Sequence, residues 1–181
     1  YQGDLFLEIF LQTLNLQDFD IDTNNCTVYR EYKNIDLYLT DGSKHIIIEN
    51  KIQAKDQKEQ IQRYVKTIQE ENKDLKVNDI LVLYLSLEKE PTKYSLGSFS
   101  IKNGFLLNNS QEIALFKSIR YKPEILSWLN ACRKEVQNIT NLNEVFSQYI
   151  DVVKMINSQY KEKIMSLVDH LKKDRETYEY V

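Results

Sequence analysis

The stretch from Asn34 to Lys51, NIDLYLTDGSKHIIIENK, constrains the fold more than any other part of this chain. Two runs of alternating residues flank Asp41-Gly42-Ser43, and a Gly in a short connection between such runs marks a tight β-hairpin. Closed about Gly42-Ser43, the hairpin sets Thr40 opposite His45, Tyr38 opposite Ile47 and Asp36 opposite Glu49. The period of two then sorts the faces. Ile35, Leu37, Leu39, Ile46 and Ile48 point one way, as a core face does. Asn34, Asp36, Tyr38, Thr40, His45, Glu49 and Lys51 point the other way, with Ile47 their only aliphatic neighbour.

Asp36 and Glu49 are thereby predicted to face each other across a strand pair, where like charges destabilise a sheet unless something holds them. A divalent cation would hold them, because Mg²⁺ takes one or two carboxylates together with waters and phosphate oxygens. Lys51 lies two residues past Glu49 on the same face, within reach of a metal-bound water. With Asp41-Gly42 as the turn, the register shifts by two and Asp36 lies diagonal to Glu49, still on that face. The bland alternative is an exposed, salt-bridged sheet face, since Glu-x-Lys by itself recurs by chance in charged chains.

At 181 residues, 42% hydrophobic and 28% charged, the composition is that of one globular domain with a sizeable core. No stretch reads as a membrane span or a signal peptide. The chain starts at Tyr1 rather than Met, so an upstream segment is expected. Cys26 and Cys132 are isolated, which argues against a zinc site and fits a reducing cytoplasm. His45 and His170 are too few for a histidine metal cluster, and His170 reads as solvated on a polar C-terminal helix. A net charge of −3 does not suit a protein that coats nucleic acid by bulk electrostatics. Local patterning offsets this, because Lys51, Lys55, Lys58, Arg63 and Lys66 cluster directly after the hairpin.

Around the hairpin, residues 4–14 read as a buried helix in which Glu8 is a solvent-facing charge or a further acidic ligand. Residues 27–33 read as a first strand carrying Glu31. Asp56 with Glu59 three residues on is a capping-box pattern, which predicts a helix from about Gln57 to Glu71. Its inner face carries Gln57, Gln60, Ile61, Tyr64, Val65 and Ile68, and Gln60 and Tyr64 are an i, i+4 pair. That pair is either a functional constellation or the polar end of a packed face. Asp79 to Ser86 is nearly continuous apolar sequence, as in a central strand covered on both sides. Strand, strand, helix, strand implies a right-handed crossover.

Residues 88–111 read as irregular, with Pro91, Gly97 and Gly104 marking loops and a short hairpin over residues 99–107. Ala114 to Arg120 reads as the last strand. Three helices are predicted to follow. The first begins at Pro123 with Ile125, Leu126, Trp128, Leu129, Cys132 and Val136 on its face; the second is capped by Asn141 and Glu144, with Val145, Phe146, Tyr149, Ile150, Val153 and Ile156 on its face. The third is amphipathic, from about Ser158, with Tyr160, Ile164, Leu167 and Leu171. No Gly-rich phosphate loop, GxSxG or Cys/His nucleophile pair occurs.

Ile35-Asp36, then Glu49-Asn50-Lys51, then Gln60 and Tyr64 on the following helix resemble the PD-(D/E)xK nuclease superfamily. The Gln-x-x-x-Tyr helix is similar to that of its RecB-like branch. IIIENKI-x-A-x-DQ-x-x-QI-x-RY, the later IRYKPEILSWL and the opening Tyr1-Gln2-Gly3-Asp4 look like an uncharacterised bacterial group within it. The resemblance covers most of the chain. It implies an α/β, restriction-endonuclease-like fold: a central mixed β-sheet flanked by helices over residues 1–121, with a helical C-terminal extension over 122–181 in the same domain.

The resemblance also implies divalent-metal-dependent hydrolysis of phosphodiesters in nucleic acid, with DNA the expected substrate and no membrane partner. Asp36 and Glu49 would bind Mg²⁺ or Mn²⁺, joined by the backbone carbonyl of Ile48 or Asn50. Lys51 would orient the attacking water or stabilise developing charge; its carboxylate neighbours favour the ammonium form, which argues against proton abstraction. Gln60 and Tyr64 would position a phosphate or the metal-bound water. An acidic residue usual on an N-terminal helix of the family is expected upstream of Tyr1, and neither Glu8 nor Glu31 matches it. Three readings follow: an endonuclease or exonuclease in phage defence, restriction or repair, with a homodimer open to it; a nuclease-fold module that binds nucleic acid or protein without cutting; or an unrelated α/β protein with a charged hairpin.

Overall fold

Strands β1 (Thr27–Tyr32), β2 (Ile35–Thr40) and β3 (His45–Lys51) form an antiparallel meander in the computed structural model, which describes residues 2–158. Tyr38 pairs with Ile47 and Thr40 with His45, the register of a hairpin closed about Gly42-Ser43. Asp41 fixes that turn through its Oδ1, which accepts the backbone N–H groups of Ser43 (2.8 Å) and Lys44 (2.7 Å), while Gly42 sits at φ +93°. A second turn precedes it. Lys33 and Asn34, at φ +48° and +70°, form a two-residue connection between β1 and β2, so Asn34 is a turn residue rather than part of the polar strand face.

That face is not polar either. Tyr38, His45, Ile47 and Glu49 are all buried, as are Leu39, Ile46 and Ile48 opposite. Helix α1 is Gln2–Thr13, α2 is Gln60–Glu71 and strand β4 is Ile80–Ser86. Ile61, Tyr64, Val65 and Ile68 of α2 pack in one cluster with Tyr38, Ile47, Val82 and Tyr84, covering the face on which Glu49 lies. On the other face the Lys117 ammonium donates to the Leu14 carbonyl (2.6 Å), which places the end of α1 there. The hairpin is thus sandwiched.

Helix α2 begins three residues later than predicted. Glu59 precedes it in the left-handed region (φ +53°) with no side-chain cap, and Asp56 caps nothing. Its carboxylate instead accepts the Tyr84 hydroxyl (2.9 Å) and both the backbone N–H and the hydroxyl of Thr92 (2.7 Å each). A capping pattern read from spacing alone was outcompeted by three tertiary donors.

All seven residues of β4 are buried, as an apolar run between two layers requires. It lies parallel to β3 on one side and to β7 (Gln111–Arg120) on the other. Residues 88–111 are more regular than predicted. They hold the short helix α3 (Lys93–Leu96) and strands β5 (Ser100–Lys102) and β6 (Phe105–Asn108). Asn103-Gly104 and Asn109-Ser110, all at positive φ, turn these strands into a second meander with β7. The resulting mixed sheet runs β1-β2-β3-β4-β7-β6-β5 and is flanked by helices, a restriction-endonuclease-like α/β arrangement.

The chain divides into two compact units, Tyr1–Arg120 and Tyr121–Val181. In the second, Pro123 sits in a π-helical turn, Tyr121–Ile125, that leads into α4 (Leu126–Glu135), and Ile125, Leu129, Cys132 and Val136 are buried. A further helix covers residues 140–158. Its backbone bond from Asn143 N–H to the Ile139 carbonyl (2.9 Å) puts Asn141 inside the first turn, not at a cap. Ile150 and Val153 are buried there, whereas Val145 and Tyr149 are exposed. The predicted helix from Ser158 and the reading of His170 lie outside the described residues.

Candidate active site

The paired residues of β2 and β3 stop at Leu37 and Ile48. One residue further, the Asp36 carboxylate takes the place of a backbone partner: its Oδ2 accepts the Asn50 N–H (2.8 Å). This holds Asp36 against the end of β3, where Glu49 and Lys51 point to the same side two residues apart.

Glu49 is 1% exposed. Its Oε1 meets the Lys51 ammonium at 2.7 Å, whereas its Oε2 is buried without a hydrogen-bond partner among the described residues. Burial pushes the Glu49 carboxyl above the usual range, the Lys51 ammonium opposes that shift, and the Asp36 charge adds to it. Lys51 is itself 6% exposed, and its ammonium also reaches the Lys55 carbonyl (3.4 Å). A buried acceptor with no donor is costly unless a ligand or water completes it.

Helix α2 supplies the third side. Gln60 Nε2 donates to the Tyr64 hydroxyl (2.9 Å) one turn on, and that hydroxyl donates to the Asn34 carbonyl. The i, i+4 pair is thus a hydrogen-bonded unit anchored to the β1–β2 turn. Burial, with Glu49 and Asp36 nearby, pushes the Tyr64 phenol up to about 12. The start of α2 is braced from behind: Glu59 N–H donates to the Tyr94 carbonyl (2.7 Å), and Gln62 Oε1 accepts the N–H (2.6 Å) and hydroxyl (2.9 Å) of Ser98.

Asp36, Glu49, Asn50, Lys51, Gln60 and Tyr64 line a single cleft of about 470 Å³. These six predicted site residues therefore border one space, whereas Ile48, the alternative carbonyl, is not in its lining. Asn34, read from the sequence as part of the polar strand face, and Arg63, read as part of the basic cluster, also line it, although neither was assigned to the site. The Lys33-Asn34 pair before an alternating run was the available signal for Asn34. Arg63 is exposed at the cleft, its guanidinium held by the Lys58 carbonyl (2.8 Å). The predicted basic cluster is corrected in one respect: Lys55, Lys58, Arg63 and Lys66 are exposed, but Lys51 is buried against Glu49.

Groups able to take a hard cation here are the Asp36 and Glu49 carboxylates and a backbone carbonyl of Ile48 or Asn50. Two carboxylates with water filling the other positions is an ordinary Mg²⁺ environment, and the unpartnered Glu49 oxygen fits it. Among the described residues no group of three or more His, Cys, Asp or Glu is clustered for a metal. Glu8 is exposed and accepts from the Thr23 hydroxyl (3.2 Å), and Glu31 is exposed on β1, so neither lines the cleft. His45 is buried elsewhere on the sheet, its Nδ1 shared by the hydroxyls of Tyr38 (2.7 Å) and Thr40 (3.2 Å).

A family profile described as the PD-(D/E)XK nuclease superfamily matches residues 1–151. No curated protein and no solved structure matches the chain. Superfamily members generally use divalent metals and act on nucleic acid, although some are inactive. Among the described residues no helix is long and apolar enough to cross a membrane. With five-sixths of its length matched by that profile, and a mixed sheet presenting Asp36, Glu49 and Lys51 at one cleft, the chain belongs to the PD-(D/E)XK nuclease superfamily.

Proposed function

We propose that the chain is a divalent-metal-dependent nuclease that hydrolyses phosphodiester bonds in DNA at the cleft between the β2–β3 hairpin and α2. The observation that carries this reading is the Glu49 carboxylate: buried, paired with Lys51 through one oxygen and unpartnered at the other among the described residues. A purely structural ion pair gains nothing from leaving that oxygen bare.

In this reading Asp36, Glu49 and the Asn50 carbonyl hold Mg²⁺ or Mn²⁺. A cation bound there would supply Lewis-acid polarisation of the phosphate and lower the pKa of a bound water. Lys51 orients the attacking water and offsets the negative charge that grows on the phosphoryl oxygens, as a preorganised donor in a site with little solvent does. Gln60 and the Tyr64 hydroxyl set the side of the cleft against which a phosphate oxygen rests. Tyr64 keeps its proton throughout the neutral range and directs it to the Asn34 carbonyl, which fixes Gln60 at the cleft wall. The exposed Lys55, Lys58, Arg63 and Lys66 draw the backbone in, in spite of a net charge of −3.

The competing reading, a module of the same fold that binds without cutting, is favoured by that overall acidity. Incubating the protein with linear, circular and single-stranded DNA in Mg²⁺ or Mn²⁺ separates the two. Cleavage that EDTA stops supports the enzyme, and the circular substrate tells ends from interior. Binding of DNA without cleavage under either metal would leave only the module.

A further inference from the structure

The carboxyl ends of the three parallel strands carry a polar array that starts in the cleft and runs beyond it to β7. In register, Glu49, Tyr84 and Ser118 form one row across β3, β4 and β7, and Lys51, Ser86 and Arg120 form the next. All six belong to the face that α2 covers, at the end of the strands where open α/β sheets bind their ligands. Arg120 Nη1 donates to the buried Ser86 hydroxyl (3.3 Å), and its Nη2 pairs with Oε1 of Glu90. The other Glu90 oxygen accepts the Ser118 hydroxyl.

Glu90 is therefore an exposed carboxylate (60%) gripped at both oxygens by a mostly covered guanidinium (20%) and a hydroxyl. Two anionic oxygens on one centre, one met by a guanidinium N–H and the other by an O–H, is also how a phosphodiester is recognised. The loop does not depend on Glu90 for its shape. Ser86 already holds Lys89 through two hydrogen bonds (2.6 and 3.1 Å), and Asp56 holds Thr92.

We propose that Arg120 and Ser118 form a second phosphate seat for the nucleic-acid strand, occupied in the substrate-free protein by the Glu90 carboxylate, which the entering backbone displaces. This rests on the nuclease reading above. Strand β7 lies two strand spacings from β3, about 10 Å, so the seat takes a phosphate flanking the one at Glu49. Glu90 thereby acts as a brake on binding, and Arg120 and Ser118 as positioning residues.

The test is fluorescence anisotropy of short labelled single-stranded and duplex DNA across a salt series, with the whole chain and the variants E90Q, S118A and R120Q, each checked by melting temperature. E90Q should bind roughly fivefold tighter than wild type once one repelled carboxylate is removed. R120Q should bind more weakly, with a salt slope shallower by about one phosphate contact. S118A should weaken binding without altering that slope, and it carries the test should R120Q fail to fold. A wild-type protein that binds and cuts DNA while E90Q gains nothing and S118A loses nothing would overturn the seat alone. A wild-type protein that neither binds nor cuts would overturn the seat together with the nuclease reading.

Discussion

Glu49 has one oxygen on Lys51, the other unpartnered among the described residues, and an aliphatic sheet around both. Because burial raises its carboxyl above the ordinary 4.5, the folded state holds that proton more tightly than the unfolded chain. The contribution of Glu49 to stability is therefore fully present below about pH 4.5 and is lost as pH rises through the raised value. Urea titrations from pH 4 to pH 7 should show E49Q lacking this downward slope. A wild-type slope preserved in E49Q would place the titration elsewhere. Removing Lys51 alone leaves an unpaired buried charge, so K51M should cost about 3 kcal/mol at pH 7, and E49Q/K51M together less than the single change. Denaturant midpoints read both. These three residues were legible because a period of two places Asp36, Glu49 and Lys51 on one face whichever turn closes the hairpin. The burial of that face was not legible, because α2, which covers it, begins only at Gln60, beyond the hairpin.

The element that completes the site is α2, and its placement depends on few contacts. The Tyr64 hydroxyl ties Gln60 to the Asn34 carbonyl, so Y64F leaves a buried amide and a carbonyl without their partner. The expected loss is about 1–3 kcal/mol, readable as a lower melting temperature. Behind α2, Gly97 sits at φ +63°, and a Cβ there would lie 2.2 Å from Gln62 Oε1, the acceptor of both Ser98 donors. G97A should accordingly destabilise by about 1–3 kcal/mol and lower any metal-dependent activity by tilting the Gln60–Tyr64 end. A G97A protein with wild-type melting and activity would show that the brace is dispensable. The inner face of α2 was readable from its spacing, Ile61, Val65 and Ile68 with Gln60 and Tyr64. Its start was not, because Asp56 and Glu59 satisfy a capping pattern locally while Asp56 bonds Tyr84 and Thr92. Tertiary donors decide such cases, and spacing alone does not reveal them.

On the scale of the molecule, the parallel neighbours β3 and β4 were foreseeable from an apolar strand following a helix, whereas the β5–β6–β7 meander was only half visible. Asn109-Ser110 adopts the same left-handed turn as Asn103-Gly104 without a glycine to announce it. The sheet matters to function because it brings the hairpin's carboxylates and the helix's Gln-Tyr pair to one cleft of the first unit. A cation bound only by the folded chain stabilises it, by about 2.7 kcal/mol at a hundred times its dissociation constant. Mg²⁺ should therefore raise the melting temperature of the wild type and not of D36A. The direct measurement is Mg²⁺-dependent cleavage, on whichever DNA form the wild type cuts, by D36A and K51A that melt cooperatively. A drop of at least about a hundredfold in both is expected from losing a metal ligand and a charge-stabilising donor. Undiminished cleavage by either folded variant would contradict the assignment of this cleft as the active site.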